Sequence, residues 1–130
     1  MIEAYLQHIQ STISAYTWII SVQVLRCDIE ETDREEILIY RFRMILRNHD
    51  LLEAMERAVF SKATRAFHIT TYNFHWQNSS HHLIKRWDNA AHFPDFATFP
   101  HHVHLGETNS VEAHESVKLI DVLEKIALEF

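Results

Sequence analysis

One glycine, Gly106, occurs in the whole chain. Glycine-rich phosphate loops and dinucleotide fingerprints need several, because there the backbone itself approaches the anion. Both are excluded, so any phosphate this protein binds must be held by side chains. The lone Cys27 rules out an internal disulfide and fits a reducing compartment. Its plainest role is that of a small, half-buried strand residue. Prolines are confined to Pro94 and Pro100. No apolar run approaches the roughly 18 residues of a membrane span, and MIEAYLQHIQ lacks the basic and apolar regions of a signal peptide. The expectation is a soluble, cytoplasmic protein with no membrane partner. A length of 130 residues suits one domain, residues 1–130, able to close a core without staples.

Basic charge is also scarce: the net charge is −6 with histidine neutral. Taken whole, that argues against a nucleic-acid partner. The distribution does not. Residues 1–36 carry two basic and seven acidic side chains, and residues 107–130 carry two and six. Residues 37–106 carry eight basic against five acidic, and nine of the eleven histidines. An acidic start and end thus flank a mildly basic centre, which suits a local anionic ligand.

What is abundant is histidine. Seven of the eleven fall between His75 and Leu105, with two tryptophans and both prolines. Histidine changes charge nearest neutral pH and is a common metal ligand, so this stretch points to acid–base work, metal binding or a charged partner.

The hydrophobic pattern places these residues. Ile2, Leu6, Ile9 and Ile13 form one face of a short helix over residues 2–14. TWIISVQVLRC reads as a strand, and DIEETDREE as a charged turn. In EILIYRFRMILR, Leu38, Tyr40, Phe42, Met44 and Leu46 share one face; Arg41, Arg43 and Arg47 share the other with three isoleucines. LLEAMERAVF has helical composition but follows a turn signal. RAFHITTYNFHWQ and HHLIKRWD form a hairpin about Asn78–Ser80. Residues 89–114 read as loop, and the chain ends on a helix with Val117, Ile120, Leu123 and Ile126 or Ala127 as its stripe. The fold class is α+β: a curved antiparallel sheet of about five strands with an N-terminal and a C-terminal helix packed on one face.

Three clusters carry candidate chemistry. Arg86 and Asp88 point the same way on a strand: the bland reading is an internal ion pair. The functional one has Arg86 holding a phosphate while Asp88 orients a histidine. His101, His102 and His104 follow Pro100; if extended, His102 and His104 share a face and converge on a phosphate or a metal. A metal needs further ligands, for which His92, Asp95 or His75 are available, but no dedicated metal spacing occurs. The strip of Arg41, Arg43 and Arg47 is either the wet side of a half-buried sheet or a phosphate track. In the second case Tyr72 or Trp76 would stack on bases, with Asn73 and His75 beside them.

From Tyr72 to Gly106 the chain resembles the TumE-like toxin family of bacterial and archaeal toxin–antitoxin pairs. The shared features are the Tyr72–Gln77 strand, Leu83–Ala90 with its Arg-Trp-Asp-Asn core, His92 with Pro94, and Thr98–His104. The chain departs from the pattern at Ala91, where a proline is usual, and at Phe93, where a second histidine often follows His92. The resemblance implies a strand for LLEAMERAVF and a helix-turn-helix antitoxin as partner. It also implies growth inhibition, by cutting RNA or by blocking translation.

Two functions follow. The first is a ribonuclease-type toxin with no cofactor required. In it His102 or His104 is acid or base, His92 supports under the orientation of Asp88, and Arg86 neutralises the phosphate. Arg41, Arg43, Tyr72, His75 and His101 bind substrate. The second is a non-enzymatic binding protein whose histidine loop docks a partner or a weakly held zinc ion. Edge strands would allow a homodimer in either case.

Overall fold

A computed structural model describes residues 1–130. Helix α1 (Ile2–Ala15) leads into seven strands: β1 (Ile19–Glu31), β2 (Glu35–Leu46), β3 (Leu51–Ser61), β4 (Phe67–Gln77), β5 (Leu83–Asp88), β6 (His102–Leu105) and β7 (Ser110–Ala113). Helix α2 (Leu119–Ala127) closes the chain. The sheet is an open meander in which each strand pairs antiparallel with its neighbours in sequence.

Seven strands replace the five expected, and two of the expected strands run further than foreseen. Residues 89–114 contain β6 and β7, each only four residues long, too short for alternation to stand out among loop residues. The stretch Asp28–Glu36, expected as a turn, is strand apart from Thr32–Arg34. Strand β1 is the sheet edge and almost wholly exposed, so charged side chains do not interrupt it. Lys62 Nζ holds its end 2.7 Å from Glu31 Oε1.

Alternation on β2 sends Leu38, Tyr40, Phe42, Met44 and Leu46 into the core, as the pattern predicts. LLEAMERAVF is a strand despite its helical composition: Leu52, Ala54, Glu56 and Ala58 alternate onto the same side. Both helices cover that side. Helix α1 buries Ile2, Leu6, Ile9 and Ile13. Helix α2 buries Leu119, Val122, Leu123 and Ile126. Its stripe thus departs from the expected one: Val117 lies ahead of the helix and Ile120 is half-buried.

At the middle of this core stands a carboxylate. Glu56, fully buried, accepts hydrogen bonds from the hydroxyls of Tyr5 on α1 at 2.8 Å and Tyr40 on β2 at 2.5 Å. The Leu119 N–H at the start of α2 and the charge of Lys118 also act on it. One side chain of β3 therefore ties both helices to the sheet. Burial outweighs these contacts and raises the Glu56 carboxyl to about 7.

The single glycine has a packing reason. A Cβ on Gly106 would stand 1.7 Å from the Leu83 carbonyl oxygen, because the Gly106 N–H donates to Ile84 O at 3.0 Å and brings the two backbones together.

Candidate functional site

The helices cover one side of the sheet, and the other side carries the polar residues. Register sets them in two rows. Across β2 to β6 the first row runs Arg43, Glu53, His75, Arg86, His104. The second runs Arg41, Met55, Asn73, Asp88, His102. Residues scattered over sixty positions of sequence thus become cross-strand neighbours.

The rows converge on Asp88, which is buried. Its Oδ1 accepts from the Ala90 N–H at 3.0 Å and lies 2.9 Å from His102 Nε2. Its Oδ2 accepts from Arg86 Nε at 3.3 Å and lies 3.3 Å from His104 Nε2. Arg86 Nη2 donates to His104 Nε2 at 3.2 Å. A guanidinium has no acceptor, so this nitrogen of His104 presents a lone pair. Burial and then the neighbouring Arg86 push His104 below the usual histidine range.

His102 has no exposed side-chain surface. Its Nδ1–H donates to the Pro100 carbonyl at 2.8 Å, since that oxygen can only accept. The Nε2 is buried without a hydrogen-bond partner: it is close to Asp88 but misaligned with it. Phe93, held at a φ of 59°, lays its ring against this pair, with centroids 5.1 Å from His102 and 6.3 Å from His104.

Outside this centre the placements diverge. His92 is exposed and lines the same groove as Arg86, Asp88 and His104. It forms no hydrogen bond or ion pair with Asp88, which engages His102, His104 and Arg86 in place of the His92 pairing expected. Arg41, Asn73, His75 and Arg86 line the neighbouring stretch of groove. Arg41 and Arg43 share Glu53, at 3.7 and 3.2 Å, so part of their charge is already matched. Arg47 leaves the strip and lies over the Phe130 ring at 5.6 Å.

Tyr72 and Trp76 are not available as stacking platforms: both are buried in the core, because alternation on β4 gives the open side to Asn73 and His75. His101 stands with Tyr72, its Nδ1 2.8 Å from the Tyr72 hydroxyl and the rings stacked. It is thereby separated from His102 and His104. Burial raises the Tyr72 hydroxyl to about 12 and lowers His101. The three-donor cluster consists of Asp88, His102 and His104, with none of His92, Asp95 or His75 in it. Sequence reasoning missed Asp88 as the partner of both histidines and Phe93 as their cover. The available signal was the period-two match between Arg86–Asp88 and His102–His104.

A sheet face carrying an aspartate–histidine–arginine centre, backed by two helices, defines a small α+β protein with its candidate chemistry on the open face. The chain belongs to the TumE toxin family: the family described as Toxin TumE matches residues 12–129. That match covers all seven strands, α2 and the whole cluster. The protein is thus a toxin by family, and membership implies an antitoxin partner. No curated protein and no solved structure matches the chain significantly. No helix is long and apolar enough to cross a membrane.

Proposed function

We propose that this toxin stops growth by acting on RNA at the groove that ends on Arg86, Asp88 and His104. The observation that carries the reading is the convergence of those three side chains at one wall of a groove continuing past Asn73 and His75 to Arg41. A phosphodiester lying along it meets Arg86 at the cluster and Arg41 further out, with Arg43 beside the groove across Glu53. Sheet-face recognition of this kind suits a single strand, because a flat surface admits an unpaired backbone.

The reaction that fits is attack of the ribose 2′-hydroxyl on its own phosphorus. His104 takes the hydroxyl proton, the bond to the 5′-oxygen breaks, and His92 at the groove mouth protonates that oxygen. Arg86 balances the charge that builds on the phosphoryl oxygens. His102 is sealed from solvent, so its part is to position Asp88 and His104, not to touch substrate. The partner in this reading is a helix-turn-helix antitoxin that covers the groove.

The test is controlled expression in a bacterial host, with and without the adjacent antitoxin gene, following growth and total RNA together. Growth arrest with discrete RNA fragments, relieved by the antitoxin, is expected. Arg86→Ala and His104→Ala proteins that remain folded should each lose at least about a hundredfold in cleavage rate. Arrest with intact RNA would discard the nuclease, and full toxicity of both variants would discard the site.

A further inference from the structure

We propose that Asp88, His102 and His104 form a binding site for one divalent transition-metal cation of the zinc class. One donor atom from each of the three lies within 4.8 Å of the other two. The separations His102 Nε2–Asp88 Oδ1 and His104 Nε2–Asp88 Oδ2 are 2.9 and 3.3 Å. Ligands on a tetrahedral zinc with bonds of about 2.0–2.1 Å stand about 3.3 Å apart. Each imidazole nitrogen is already near that spacing from one oxygen of the carboxylate, and small side-chain shifts would bring the three donors onto one cation.

The buried nitrogen carries the argument. With Nδ1–H committed to Pro100, Nε2 of His102 is the atom left to bind a ligand, and it is sealed from water and unpartnered. A proton added there would not point at the carboxylate beside it. A cation sits off the line joining nitrogen and oxygen, and so satisfies both. The Pro100 carbonyl also supplies the outer hydrogen bond that metal-binding histidines almost always make through their second nitrogen. Asp88 is braced in the same way by the Ala90 N–H. Two imidazoles and one carboxylate, with an open side toward the groove, form a donor set for zinc or a neighbouring first-row ion.

Arg86 is the competitor. Its guanidinium rests on Asp88 Oδ2 and on the His104 lone pair, a positive charge standing on two of the three donors. A metal takes that lone pair and sends Arg86 outward into the groove. Metal loading and proton transfer by His104 are thus alternative states of one cluster. The inference rests on the geometry of the cluster and not on the RNA reading: zinc binding with intact RNA keeps the site and discards the nuclease.

The test uses the untagged full-length chain, stripped with chelator and titrated with zinc by calorimetry and with cobalt(II) by visible absorption. One equivalent per chain is expected, with cobalt bands of low-symmetry four- or five-coordination. Asp88→Asn and His104→Gln, checked for folding by circular dichroism, should each weaken binding tenfold or more. Arg86→Gln should tighten it by about tenfold. His102→Ala is avoided as the sole probe because that ring is part of the packed interior. Absence of stoichiometric binding, or binding unchanged in both Asp88→Asn and His104→Gln, would overturn the site. Weaker binding in Arg86→Gln would overturn the competition.

Discussion

Glu56 makes stability fall as pH rises, which is the reverse of ordinary acid denaturation. Its carboxyl titrates at about 7 in the fold against an ordinary 4.5. The native state therefore holds a proton that the unfolded chain gives up, and stability drops between those two values. The stabilisation is complete below about pH 4.5 and gone above about pH 7. At 1.36 kcal/mol per pH unit the difference is roughly 3 kcal/mol, a large part of the stability of a small domain. The assay is urea unfolding at about pH 4 and pH 8, followed by the fluorescence of Trp18, Trp76 and Trp87, which all lie in the core. Other groups titrate in the same range, so the comparison is with Glu56→Gln. The amide keeps size and burial but cannot ionise; its constant offset cancels when the two profiles are subtracted. Relative to the variant, the wild-type protein should lose roughly 3 kcal/mol over that interval. A difference that stays flat within roughly 0.5 kcal/mol would refute the reasoning. It would mean that Tyr5, Tyr40, the Leu119 N–H and Lys118 together outweigh burial and hold the carboxylate ionised.

Two further outcomes test the fold around the site. Gly106→Ala forces a methyl onto the Leu83 carbonyl and should destabilise by about 3 kcal/mol or more, read by denaturant midpoint at unchanged m-value; a change under 1 kcal/mol would contradict the close approach. His49, exposed at the β2–β3 turn with a φ of 70°, pays for a left-handed backbone. His49→Gly should raise stability by about 0.5–1 kcal/mol in thermal unfolding, and a loss would show that the imidazole contributes more than the backbone costs.

How much of this was legible in the sequence depends on whether a residue answers to its own neighbours or to distant ones. Helix α1 and strand β2 were readable because their burial follows a single face with no competing demand. Strand β3 was not readable from propensity: Ala54, Ala58 and two glutamates favour helix, and only packing between β2 and β4 forces them to alternate. The extended reach of β1 was hidden because its charged end contradicts the usual half-buried pattern, yet an edge strand with both faces wet has no such pattern to keep.

The site was half legible for the same reason. Period two places His102 with His104, and Arg86 with Asp88, from local spacing alone. It does not say that the two pairs meet; that depends on β5 and β6 pairing with Asp88 opposite His102 and Arg86 opposite His104. A slip of one residue would set His101 or Val103 against the aspartate and turn His102 and His104 toward the helices. The register is fixed by apolar demand on the other side: Trp87 and Val103 pair directly and are both buried in the core. The chemistry of the open face is therefore positioned by the packing of the closed one. A substitution such as Val103→Asp, which touches none of the ionisable groups, should break the cluster as completely as losing Asp88.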